Sequence, residues 1–510
     1  MRIKPLMMLG AVMLSQGSLH ATDYYVSPTG AGAKDGTSWA DAIDFDTWYA
    51  KMGFGEGCAY ADGDVFHLEG GHYYVPAAIK RIGNAYTIIG GYDPATHAAP
   101  AYPASGSAAT VIDGDRDRDG APGPADAERC FSVQTGTKAE SEHQKPVRII
   151  GIDFVNMHDA KGTKTHGAVQ VNNSYDVTIA NCRFAGNTTD YSTGGMAITN
   201  HRSTIFVTDC EFTANSAGNR GGAVFVSSDD KSKGLTVIER CSFVGNRLTS
   251  DGADGRMLLG SAICYTNGPG LWIVNSTVAG NEALSGGAVY VTGADATWKR
   301  QATIVSSTIA GNRGGCQLSM TQGACLRLAN SYVVGHADDG TVQGAAIAVT
   351  GPEERPEFFS VVSAGHNVIG AYANEVAGAT AVPSWHATDS QGQANVYPAV
   401  FGDSGVEGGV VRPVAAVAGA DAQALSADLA GWGPEAVRVD LSVDQLGNPR
   451  LPGTTGGACA VEAGGVSSVA SGMAAARPGS APAYTLGGLR AVAMQKGRLY
   501  ISGGKKVAGR

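Results

Sequence analysis

Apolar and polar positions in the middle of the chain fall into short strand-like runs rather than helical stripes. "VTIANC", "IFVTDC", "LTVIERC", "LWIVNS" and "ATIVSS" are rich in β-branched residues over strand lengths. Each leads into a recurring phrase: "NCRFAGN" at 181–187, then "DCEFTAN" and "RCSFVGN". One slot of this phrase holds Phe154, Phe184, Phe212, Phe243, Val278, Ile309 and Val333. The last slot holds Asn187, Asn215, Asn246, Asn281 and Asn312, at spacings of 28, 31, 35 and 31. A second signal of small residues opens another apolar run: "HGAVQV" (166–171), "GGMAI" (194–198), "GGAVFV" (221–226), "GSAICY" (260–265), "GGAVYV" (286–291) and "GAAIAV" (344–349). Two strands and two turn signals per period of about thirty residues describe the coil of a solenoid. The leucine skeleton of a leucine-rich repeat is missing, and propeller blades need about 40–45 residues. The pattern predicts an all-β, right-handed parallel β-helix.

On such a coil the slots acquire physical roles. Cys182 and Phe184 are two apart and share one strand face, as do Cys210 with Phe212 and Cys241 with Phe243. They are expected to stack inside the cylinder at the strand spacing of about 4.8 Å. Arg183, Glu211 and Ser242 lie between them and are expected in solvent. Asn187, Asn215 and Asn246 should end the strand in the left-handed conformation of a corner and stack their amides along the axis. The paired glycines supply a second corner. A metal would need exposed, ionisable thiolates, so Cys182, Cys210 and Cys241 read as small core residues. Cys316 and Cys325 close a short loop and are the candidate disulfide.

Composition adjusts this picture. Glycine makes up 72 of 510 residues without a Gly-X-Y period, and charged residues only 16%, as expected of many tight turns and a Ser/Thr/Asn surface. A net charge of −9 argues against nucleic acid as a partner. Arg2 and Lys4 precede an apolar run from Leu6 to Leu14, the layout of a signal peptide over 1–21. No later stretch reaches eighteen apolar residues, so no transmembrane helix is expected in the mature chain. The remaining organisation reads as an N-terminal cap and first coils at 22–110, the β-helix at 111–400 and a closing segment at 401–465. A linker at 466–483 follows, "VSSVASGMAAARPGSAPA". The tail at 484–510 carries two short apolar runs around Lys496–Gly497 that suggest a hairpin, with a disordered tail as the alternative.

With its "FxGN" and "GGAV" elements the repeat resembles polymorphic outer-membrane protein repeats and other pectin-lyase-like β-helices. "YYVSPTGAGAKDGTSWADAI" (24–43), "GDVFHLEGGHYY" (63–74), "IIGGYD" (88–93) and "VDQLGNPRLPGTTGGACAVEAGG" (443–465) resemble, in order, segments of the choice-of-anchor Q family of surface β-helix proteins. The tail resembles the start of a type IX secretion sorting tail. These resemblances imply a secreted protein or one on the bacterial cell surface, at the outer membrane; they imply no particular reaction.

The candidate chemistry is concentrated in "DRDRDGAPGPAD" (115–126). Asp115, Asp117, Asp119, Gly120, the Ala121 carbonyl and Asp126 match the positions of a calcium loop, with Arg116 and Arg118 partly neutralising it. Ca2+ is the expected cofactor, in a structural loop without flanking helices. No catalytic residues stand out. Asp229, Asp230, Lys231 and Lys233, with Asp251, Asp254 and Arg256 in the next coil, read as a solvated charged edge. The favoured function is an adhesin-like surface protein binding carbohydrate or a host or surface protein, or an envelope scaffold. The alternative is a polysaccharide lyase or glycosidase with a divergent site on the β-helix face, which would need carboxylates and a basic group together on adjacent coils.

Overall fold

A computed structural model describes residues 21–53, 58–76, 80–137, 145–160, 167–189, 194–228, 234–250, 258–266, 268, 270–284, 286–292, 300–321, 324–335, 345–349, 360–374, 383–391, 401, 406, 409–411, 429, 432, 441–450, 457–459, 484–485, 499–502 and 505–508. The signal peptide, apart from its last residue, and the linker lie outside these residues.

One period shows how the chain coils. Val177–Ala180 lies on a first sheet, Arg183–Ala185 on a second, the two-residue Thr188–Thr189 on a short fourth, and Ile198–His201 on a third. The chain then returns to Ile205–Thr208, which pairs parallel with Val177–Ala180 in register: Val177 opposite Ile205 and Ile179 opposite Val207. Repeated along the axis, this makes parallel sheets of 12, 11 and 10 strands, and the molecule is a right-handed parallel β-helix. Each coil thus carries three main strands where the sequence pattern suggests two. The difference lies inside the repeated phrase. Asn181, Asp209, Arg240, Asn275, Ser306 and Asn330, each just before the Cys or Ser slot, have positive φ of 46–53°. This single-residue bend passes the chain from the first sheet to the second without interrupting the apolar alternation, so two strands read as one run.

The Phe slot forms a column on the second sheet. Phe154, Phe184, Phe212 and Phe243 stack at centroid distances of 5.1, 5.1 and 4.3 Å, and all four are fully buried. Cys182, Cys210 and Cys241 are buried at the bend, where their thiols donate to carbonyls: that of Cys210 reaches Thr208 O at 3.2 Å. The Cys182 amide donates to Cys210 Sγ at 3.4 Å, and the Cys241 amide to Ser276 Oγ at 3.0 Å. In later coils Ser276, Ser307 and Ser331 hold the same slot.

The Asn slot behaves differently from expectation. The left-handed corner falls one residue earlier, at Gly186, Ala214, Gly245, Gly280 and Gly311 (φ 55–67°). Freed from that role, the Asn side chains turn inward into an unbroken amide ladder. Nδ2 of Asn187, Asn215, Asn246 and Asn281 each donates to Oδ1 of the next Asn at 2.8–2.9 Å. The same Nδ2 donates to the carbonyl of the Phe slot one coil back, and each backbone amide also donates to the next Oδ1. Gln317 Oε1 accepts from Asn312 at one end, and the Met157 amide donates to Asn187 Oδ1 at the other.

The cylinder's first end is plugged by the helix Phe45–Lys51. Asp44 caps it by accepting from the Thr47 amide at 2.9 Å, and Phe45, Trp48 and Tyr49 are buried. Trp48 meets Phe66 and Phe131 edge-on, and Tyr49 OH donates to Cys130 O at 2.6 Å. At the far end Tyr372 and Trp385 pack against the core. The described parts of 401–459, expected to close that end, lie instead along the flank. Phe401 and Val411 cover Ala279, Ala310, Tyr332 and Val334 outside the second sheet. Leu429, Trp432 and Leu441 cover Trp272, Val274, Val305 and Ala329 outside the first. Polar pins fix the strap: Gln445 Nε2 donates to Cys241 O at 3.0 Å, and Arg450 Nη2 to Asn275 Oδ1 at 3.0 Å. Ser242, expected in solvent, is buried beneath this strap, whereas Arg183 and Glu211 remain half-exposed. In the tail, Tyr484–Thr485, Leu499–Ser502 and Lys505–Ala508 form an antiparallel sheet, with Ser502 opposite Lys505. No helix among the described residues is long and apolar enough to cross a membrane.

The expected Cys316–Cys325 disulfide is absent. All nine cysteines are thiols, none of them in a disulfide. Cys316 begins the strand Cys316–Thr321 on the third sheet, opposite Gly287, whereas Cys325 lies on Ala324–Ala329 of the first, opposite Gln301. The two thiols therefore stand on different sheets of the cylinder.

Two predictions follow from this core. Asn246→Ala removes the acceptor of two Asn215 donors and takes away the Nδ2 donor to the Phe212 carbonyl and Asn281 Oδ1. It is expected to cost on the order of 3 kcal/mol in chemical denaturation. Burial raises the thiols of Cys130 and Cys210 well above the usual range and that of Cys264 to about 12. Iodoacetamide at mildly alkaline pH should therefore spare the eight buried cysteines in the native protein and label all nine after unfolding. Extensive native labelling would contradict the core placement.

Candidate functional site

Two surface features on the first coils bring chemistry-bearing groups together. The first is an aromatic cluster on the outer face of the first sheet. Tyr25 and His67 are directly paired on neighbouring strands, and their rings stack at 5.1 Å. Trp39 reaches them from a one-turn helix, Trp39–Asp41, whose start is fixed by Ser38 Oγ accepting from the Asp41 amide. Its ring lies 4.9 Å from Tyr25 and 5.3 Å from Tyr92, and it stacks on His97 at 4.5 Å with 6° between planes. His97 is held there in a left-handed turn (φ 50°) closed by Asp93.

Hydrogen bonds orient the rings. His67 Nδ1 contacts Tyr92 OH at 2.6 Å and its Nε2 contacts Asp23 Oδ1 at 2.8 Å, while His97 Nε2 contacts Glu69 Oε1 at 2.8 Å. Burial, then the nearby Tyr25 and Asp23, raise the Tyr92 hydroxyl above its ordinary pKa. All five rings are partly exposed. The cluster offers aromatic faces rimmed by carboxylates and contains no Lys or Arg. Sequence reasoning passed it over because its members, 25, 39, 67, 92 and 97, come from separate turns and strands. The one signal was Trp39 within the "GTSW" motif.

The second feature is the acidic loop. Asp113, Val155 and Ala185 are paired across three coils, so Asp115 stands in the column that continues as Met157 and Asn187. The loop is therefore an excursion from the Asn corner. Its neck is closed by backbone bonds: Gly114 N to Val155 O, Ala127 N to Gly114 O and His158 N to Ala127 O, at 2.8–2.9 Å. Gly114 permits this approach, since a Cβ there would lie 2.5 Å from Asn156 O.

The donor set differs from the expected one. Asp115, Asp117 and Asp126 each bring a carboxylate oxygen within 4.8 Å of the others. Asp119 does not join them; its Oδ1 accepts from the Ala121 amide at 2.7 Å, closing a local turn at the loop tip. The arginines do not neutralise the loop. Arg116 donates to the carbonyls of Val75, Pro76 and Asp126, and Arg118 lies over the Tyr74 ring at 4.1 Å. At an effective dielectric of 20, two carboxylates at this separation repel by roughly 3–4 kcal/mol. Burial, with the charges of Asp117 and Asp115, raises the Asp126 carboxyl against the opposing Gly123 amide. The charged edges at 229–233 and 251–256 lie outside the described residues.

A family model described as "right handed beta helix region" matches residues 167–354, the regular coils. No curated protein and no solved structure matches the chain.

Proposed function

We propose that this protein is an exported, surface-displayed β-helix that binds neutral glycan through the Tyr25, Trp39, His67, Tyr92 and His97 face. The observation that carries the reading is the pre-assembled cluster of half-exposed rings rimmed by Asp23 and Glu69. Aromatic faces suit the C–H faces of sugar rings, and carboxylates accept from their hydroxyls. The acidic rim and the net charge of −9 disfavour a uronate ligand. The lyase alternative has less support, because Arg116 and Arg118, the bases within the acidic loop, are engaged elsewhere.

The test is affinity electrophoresis and calorimetry of the exported chain against neutral and uronate polysaccharides. Neutral glycan should bind, Trp39→Ala should weaken binding at least tenfold, and Trp39→Phe should retain most of it. Glu211→Gln, on the second sheet, should have no effect. Binding insensitive to Trp39→Ala, or unsaturated product released from a uronate polymer, would overturn the reading.

A further inference from the structure

We propose that the loop 115–126 is a calcium site whose side-chain ligands are Asp115, Asp117 and Asp126. Asp126 points most directly to a cation. It is only 4% exposed; its Oδ2 accepts from the Gly123 amide at 2.8 Å, while its Oδ1 is buried without any hydrogen-bond partner. A buried carboxylate oxygen left bare beside two further carboxylates needs a positive partner. Both arginines that the loop sequence offers for this role are turned away, one onto backbone carbonyls and one onto Tyr74.

Size and donor chemistry select the ion. All the donors are hard carboxylate oxygens, which favours Ca2+ or Mg2+ over softer metals. Oxygens spread over as much as 4.8 Å match ligand distances of about 2.3–2.6 Å around Ca2+. Mg2+ at about 2.0–2.1 Å would require the neck to contract, and the neck is held by the backbone bonds of Gly114 and Ala127. Asp115 is also committed to the loop tip, accepting from the Asp119 and Gly120 amides at 3.2 and 2.9 Å. An ion between Asp115, Asp117 and Asp126 would tie the tip and both ends of the excursion to one point. The exposed Asp117 would be the ligand recruited on binding. This inference does not depend on glycan recognition.

The test uses the metal-stripped exported chain. Calorimetry with CaCl2 should show one site of Kd between about 10⁻⁵ and 10⁻³ M. Calcium should also slow tryptic cleavage after Arg116 and Arg118 at least fivefold. Asp117→Asn, at an exposed position outside the core, should weaken binding tenfold or more and abolish the protection. Asp119→Asn, which keeps its local turn through the amide oxygen, should leave both unchanged. The proposal fails if about 10 mM calcium gives neither heat nor protection. It also fails if Mg2+ acts as well as Ca2+, or if Asp119→Asn weakens binding as much as Asp117→Asn.

Discussion

The fold depends on coils stacking in strict register, and the Asn ladder is where that requirement is most severe. Each amide from Asn187 to Asn312 donates to the next side chain of the ladder and to the coil behind it, while the oxygens of Asn215, Asn246, Asn281 and Asn312 each accept twice. These groups are fully buried, or nearly so, and no water replaces a missing partner. A slip of one residue in any coil would turn its Asn outward and orphan donors on both sides. The Phe column and the Cys/Ser slot follow from the same register. They tolerate exchange better, since Val278 and Ile309 replace Phe, and Ser276 replaces Cys, without a break in the stack.

That regular interior leaves function to the outside, and the outside is unevenly available. The strap formed by the described parts of 401–459 covers the corner between the first and second sheets from Ser242 to Val334. Among the described residues, the strap does not reach the first coils. There the aromatic cluster stands on the first sheet, and the acidic loop leaves the Asn corner two coils before Asn187, where the ladder begins. Plugged by Trp48 and Tyr49, this end is a rigid platform, which suits recognition by pre-positioned groups.

The repeat was legible because apolar spacing and invariant slots are local properties of the text. The calcium-like spacing of 115–126 was legible too, but its donor set was not. Asp119 matches the pattern yet its oxygen accepts from the Ala121 amide, and the arginines expected to cancel part of the charge turn to Val75 and Tyr74. The expected disulfide is absent for a related reason: nine positions measure a short loop in sequence, but on the coil they separate two different sheets.

The sequence by itself determined the period, the strand-forming runs and the identity of each stacked slot, because neighbouring coils repeat the same residues and parallel pairing brings like to like. Tertiary structure alone decided which residue takes the left-handed bend, since Asn181 and Gly186 outcompete Asn187 only when the Asn amide has a ladder to join. It also decided which surfaces stay open. The strap reaches back more than 150 residues to Cys241 and Thr277, and the aromatic face gathers five rings from separate turns. Such contacts depend on where coils meet in space, and no local pattern of the chain encodes that.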